Sequence, residues 1–265
     1  MISKGIRTYL FFAKLDVQSQ LKYPLDFFVQ QLIWLVYTII PYLGLRILFE
    51  NISTLGEWTV YHVGILYGVI GLAYDLSRML GRSLDDFHKL ILRGELDLFL
   101  LRPVSLPLQL FGSNVFLRRL AGIVQYLAVL LYSIHKGMAP SAALFAGILI
   151  STLGTFLVFL GLLFCNATLC LFTVRKSLFS ELVVDTTATL GYYPLKFIQK
   201  AVRALFFTVI PVGVTAYLPI SRLLFSRHAL ATAASLFGSV AGGALFFLLT
   251  LKLFTYSLRY YKSCT

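Results

Sequence analysis

The chain is poor in charge and in the residues that build catalytic centres. Only 13% of its 265 residues are Asp, Glu, Lys or Arg, roughly half the ~25% usual in a soluble domain. That excludes a water-facing surface over most of its length. Its three cysteines, Cys165, Cys170 and Cys264, form no C-x-x-C pair, and two of them fall inside an apolar run. Neither a zinc cluster nor a disulfide framework is indicated, and free cysteines in such runs act as small apolar residues. His62, His88, His135 and His228 are dispersed, with no H-E-x-x-H, so no metal site is expected. A G-x-x-x-x-G-K-[ST] phosphate loop is missing as well. The chain therefore does not bind ATP in the Walker manner by itself, and no cofactor of its own is expected. Acids are scarce, eleven against twenty-three Lys and Arg, for a net charge of +12. The basic residues lie scattered between apolar runs rather than clustered with stacking aromatics, which argues against nucleic acid as a partner.

What is abundant is apolar surface: 58% of residues are hydrophobic and the mean hydropathy is +0.84. A chain of this length holds about six helical spans of roughly 20 residues and leaves no room for a separate soluble domain. The expected fold class is all-α, a polytopic integral membrane protein forming one transmembrane domain over 1–265.

Residues 1–23 are too polar to span but interleave Ile6, Leu10, Phe11 and Leu15 with Lys4, Arg7, Lys14 and Lys22. They read as an amphipathic helix on an anionic lipid surface. No apolar h-region or small-residue cleavage site marks a signal peptide. The first span covers Leu25 to Phe49 and is broken by Pro41; the second runs from about Trp58 to Leu76 and ends in Asp75 and Arg78. Phe116 to Ile134 is the third, entered through Arg118 and Arg119. The fourth, from Ser141 to Phe172, is longer than a ~30 Å hydrocarbon core needs, and Gly147, Gly154 and Gly161 recur on one stripe of it, permitting close helix contact. Ala204 to Leu218, interrupted by Pro211 and Gly213 and closed by Pro219, reads as a broken fifth span. Ala231 to Tyr256 is the sixth. Ser177 to Tyr193, with Glu181 and Asp185 four apart, reads as a cytosol-side amphipathic or partly re-entrant helix rather than a span. Asp75, Arg78, Arg118 and Arg119 read as interfacial charges at span ends. Basic residues divide nineteen against four on this scheme, placing both termini in the cytosol.

Between spans two and three lies the most informative stretch, the cytosolic segment 84–107. Ser83-Leu84-Asp85-Asp86 is an S-x-x-D helix start, Leu84, Phe87 and Ile91 share one face, and Gly94 is placed to end the helix. Glu95 with Arg102, seven apart, and Arg93 with Asp97, four apart, suit an internal brace before Pro103 halts the chain.

The run Gly94-Glu95-Leu96-Asp97-Leu98-Phe99-Leu100-Leu101-Arg102-Pro103, with Tyr193-Pro194, Val209-Ile210-Pro211-Val212 and Tyr217-Leu218-Pro219, resembles the six-span permease subunits of bacterial type-2 ATP-binding cassette exporters. The resemblance implies that Leu84 to Arg93 is a coupling helix inserted into a cleft of a separate ATPase, with Leu84, Asp85, Asp86, Phe87, Lys89 and Arg93 as contacts. Glu95, Asp97, Arg102 and Pro103 would brace it, and Pro211, Gly213 and Pro219 would shape the broken span five. It further implies ABC ATPase subunits that bind the ATP, a second permease subunit as homodimer or paralogous heterodimer, membrane lipids as surroundings, and a place in the bacterial inner membrane. The expected function is a transport subunit without its own ATPase site, in an ATP-driven export system. The readings set against it are an ion-coupled secondary transporter or channel, and a membrane-embedded lipid-modifying enzyme.

Overall fold

Two glycine-rich helix contacts hold the bundle together. The computed structural model describes residues 18, 22–52, 54–112, 116–173, 178–226 and 228–261, so the expected surface helix over 1–23 lies almost wholly outside the described residues. The long helices are α1 (Pro24–Asn51) and α2 (Val60–Leu80), then α7 (Leu120–Gly137), α8 (Ala142–Thr173) and α12 (Ala229–Ser257). Between α2 and α7 run the short helices α3 (Arg82–Asp85), α4 (Phe87–Leu92), α5 (Glu95–Leu100) and α6 (Leu106–Gly112). Between α8 and α12 come a π-helical turn at Ser180–Asp185, α9 (Thr186–Gly191), α10 (Lys200–Thr208), a second π-helical turn at Gly213–Tyr217, and α11 (Leu218–Phe225). No strand occurs among the described residues. The chain is an all-α polytopic membrane protein, with five helices among the described residues individually long and apolar enough to cross a bilayer.

The most extensive packing is α8 on α12. Gly154 and Gly161 make it possible: a Cβ on Gly161 would stand 2.7 Å from Phe246 and one on Gly154 would overlap the backbone of Ser239, while Gly147, on the same stripe, faces α11, where its Cβ would stand 2.6 Å from Leu223. Small residues thus let two backbones approach where lipid gives no hydrophobic push between helices. A second stripe serves α2 against α7, where Gly64 faces Ser133, Gly68 faces Leu130 and Gly71 faces Tyr126. Helix α2 begins at a capping box in which Thr59 and His62 satisfy each other's backbone N–H, and it lies central and almost wholly buried. Helix α1 continues through Pro41 without interruption, which corrects the expected break. Its buried stripe is Thr38, Tyr42, Leu45 and Phe49, and much of the remainder is exposed apolar surface.

The fifth crossing is elsewhere than the sequence suggested. Ser180 contacts Arg78 at one end of α2, Gly191 faces Ile70 and Tyr192 packs on Tyr67 further along, and Phe197 reaches Gly56 beyond its other end. Residues 178–197 therefore run the length of α2. Their helical part is short and carries Glu181 and Asp185, which disguised it in the sequence. The expected broken span instead forms a hairpin. Helix α10 and the helix from Gly213 to Phe225 are bent by 84°; Tyr217 stacks on Trp58, and Phe225 meets both Trp58 and His62. It enters and leaves on the Trp58 side, so Pro211 and Gly213 sit at the turn of a re-entrant loop, with Pro219 in the returning arm. The Ser151 and Ser239 hydroxyls donate to the Thr215 carbonyl, whose partner four residues on, Pro219, has no N–H, at 2.8 and 2.7 Å. Moving the crossing transfers Lys196, Lys200 and Arg203 to the Trp58 side, so nineteen against four becomes sixteen against seven by sequence. The bias keeps its direction.

Candidate functional site

On the basic face, helices α3 to α6 fold back as a compact segment with its own small core. Leu84, Phe87, Ile91, Leu96 and Leu110 are buried against Phe164, Ala167 and Cys170 of α8 and Phe254 of α12. Phe87 meets Phe254 edge to face, with ring centroids 5.6 Å apart. The expected single helix Leu84 to Arg93 is divided at Asp86, and Gly81 precedes it in place of a Ser83 cap. Asn166 of α8 donates to the carbonyls of Leu84 and Asp85 at 3.0 and 3.2 Å, satisfying the backbone at that division. Gly94 terminates α4 in the left-handed conformation, φ +67°, with its N–H on the Ile91 carbonyl.

Burial sorts the residues named from sequence. Leu84 and Phe87 face inward and are unavailable to a partner in this arrangement. Asp85 is nearly buried and ion-paired, Asp86 is half-buried, and Lys89 and Arg93 are exposed. The outward edge thus consists of Asp86, Lys89, Leu92 and Arg93, followed by Leu98, Leu101 and Arg102. In the expected brace, Arg93 lies 3.7 Å from Glu95 and Arg102 lies over the Phe99 ring; half-buried Asp97 and exposed Pro103 lie beside them. Gln109 closes the loop by donating to the Phe99 and Val104 carbonyls.

An arginine joins the segment to two elements of the membrane body at once. Arg78, near the end of α2, pairs with Asp85 at 3.2 Å, pairs with Asp185 of the fifth crossing, and donates to the Ser180 hydroxyl at 2.9 Å. Ser180 in turn donates to Asp85, and Tyr74 donates to Asp185 at 2.8 Å. Arg82 continues the chain outward to Asp85 and Asp86, and Lys89 to Asp86 at 3.0 Å. The π-helical turn Ser180–Asp185 supplies two of these groups, and such turns recur at functional positions because they re-aim side chains.

Deeper in the bundle, Asp75 is fully buried. It accepts from Arg119 at 2.7 Å and from the Trp34 indole at 3.2 Å, while the Arg119 guanidinium lies 3.9 Å from the centroid of the Trp34 ring. Burial of both partners corrects the interfacial reading of Asp75, Arg78 and Arg119; Arg118, bonded to Gln30 at 2.8 Å, stays half-buried. The three-residue spacing of Asp75 and Arg78 and the Arg118-Arg119 pair were the available signals. Which acid meets which arginine follows only from the packing of α1, α7 and the fifth crossing on α2.

A family model described as ABC-2 family transporter protein matches residues 32–265. No curated protein matches the chain, and no solved structure does.

Proposed function

The chain belongs to the ABC-2 transporter family, and from that membership we propose that it is the permease subunit of an ATP-driven exporter, acting with separate ABC ATPase subunits. The observation that carries the proposal is the α3 to α6 segment: a rigid platform on the basic face with a charged outward edge, tied through Arg78 to both α2 and the fifth crossing. A force applied at Asp86, Lys89 or Arg93 reaches two membrane helices through ion pairs of the nearly buried Arg78 rather than through a loose loop. Closure of the ATPases on ATP would then bias a membrane body with two arrangements, and reopening would reset it.

Sidedness follows from the basic residues. With sixteen of twenty-three on the α4 face by sequence, that face is cytosolic, both termini lie in the cytosol, and the Lys200–Phe225 hairpin faces outward in the bacterial inner membrane. Lipid and a second permease subunit, identical or paralogous, cover the exposed apolar face of α1 and complete the pathway.

The buried Asp75–Arg119 pair favours a second reading, an ion-coupled transporter, because ionisable residues inside a membrane body often mark ion paths. Its place one turn from the end of α2, closed by Trp34, suits a structural tie better. Reconstitution separates the two. The coupled reading requires no ATP hydrolysis by the isolated chain, and hydrolysis with directional transport once its ATPase is added. Transport driven by an ion gradient without any ATPase would establish the second.

A further inference from the structure

A cavity of about 240 Å³ lies between α1, the central helices and the fifth crossing. Its wall is aromatic, with Trp34, Tyr37, Tyr126 and Tyr192 among its lining, and Thr38 and Thr189 add hydroxyls. Apart from the tyrosines, the ionisable side chain among the described lining residues is Asp185. Its Oδ1 takes the bonds from Tyr74 and Arg78, and a carboxylate has further acceptor positions on both oxygens. Asp85, which also binds Arg78, has a second partner in Arg82. Ring surfaces here already hold cations: the Arg119 guanidinium lies over Trp34 and the Arg78 guanidinium lies 5.1 Å from the Tyr74 centroid. Tyr37, stacked on Trp34 with centroids 5.1 Å apart, extends the platform to the open side, where it is 60% exposed.

A carboxylate at one end of an aromatic-walled cavity is the chemistry that recognises ammonium ions carrying apolar groups, through attraction of the cation to the ring quadrupoles and to the acid. A volume of 240 Å³ suits a trimethylammonium head with one ring or short chain. We propose that this cavity binds such a monovalent organic ammonium ion, its charge beside Asp185 and its apolar part against Tyr37 and Ile40. As an assignment of the cargo class, this rests on the exporter reading. As a binding site it stands on the cavity alone.

The test uses the full-length chain in nanodiscs of phosphatidylglycerol, which carries no choline head, and labelled benzyltrimethylammonium as the probe. Saturable binding is expected, with no competition by neopentylbenzene, the neutral molecule of the same shape. Asp185→Asn should weaken binding at least tenfold. Because Asp185 also holds Arg78, Tyr37→Leu at its exposed position provides an independent arm, with a threefold or larger loss. Addition of phosphatidylcholine to the nanodisc separates two sources of the same chemistry: loss of probe binding assigns the site to a choline lipid head, and undiminished binding assigns it to a free cation. Equal binding of the neutral analogue, or unchanged affinity in both variants, overturns the proposal. No ATPase is present in the assay, so such a failure leaves the exporter reading to be judged by its own reconstitution.

Discussion

Arg78 and Asp185 stand 107 positions apart in the chain and form an ion pair, which joins the base of α2 to the π-helical start of the fifth crossing. Because Asp85 binds the same guanidinium, this contact also fixes the segment that would meet an ATPase. Removing the arginine leaves the nearly buried Asp85 and the partly exposed Asp185 without their shared partner. Arg78→Gln is expected to destabilise the fold by about 1–3 kcal/mol, the cost of a lost partner, because Asp85 keeps Arg82 and Asp185 is partly exposed. Adding Asp85→Asn and Asp185→Asn should recover part of the loss. Unfolding by sodium dodecyl sulfate in mixed micelles measures both, and additive losses would contradict a shared network.

The α8–α12 contact makes a sharper structural prediction. Gly154→Leu pushes a side chain into the Ser239 backbone, whereas Gly238→Leu meets nothing within 4 Å. The first should destabilise by about 1–3 kcal/mol, the usual range for overpacking, and the second should be near neutral in the same unfolding assay.

Gly94 separates backbone strain from packing. Its φ is +67° and a Cβ there would meet nothing within 4 Å, so Gly94→Ala carries the left-handed penalty of about 1–2 kcal/mol and little else. The expected result is faster proteolysis between α4 and α5 with the long helices intact by circular dichroism.

The revised crossing is open to direct mapping. In a background with Cys165, Cys170 and Cys264 replaced by alanine, Lys200→Cys should react with an impermeant maleimide from the same side of the membrane as Glu57→Cys. Lys89→Cys should react from the other side. Labelling of Lys200→Cys together with Lys89→Cys would restore the sequence-based topology.

Long apolar runs made α1, α2, α7, α8 and α12 legible, and the seven-residue spacing of Gly147, Gly154 and Gly161 pointed to the face that α12 and α11 cover. Gly94 was legible because few other residues adopt its conformation. The fifth crossing was not, because hydropathy rewards length without charge, and this helix is short with Asp185 facing a buried arginine. Its charge is tolerated through Arg78, a residue a hundred positions away. The Pro211 hairpin, by contrast, is apolar enough to imitate a span, and only Trp58 against Tyr217 and Phe225 shows that it returns. At the α3 to α6 segment, spacing located the helices but not their inward face. Phe87 suits a docking surface by composition, yet it is committed to Phe254.

The most direct test of the account is photocross-linking from single positions in the chain co-expressed with its ATPase. A benzophenone side chain at Lys89 or Arg93 is predicted to capture the ATPase efficiently, one at Phe87 weakly, and one at Glu57 not at all. Capture from Glu57 with none from Lys89 or Arg93 would contradict the coupling role of the α3 to α6 segment.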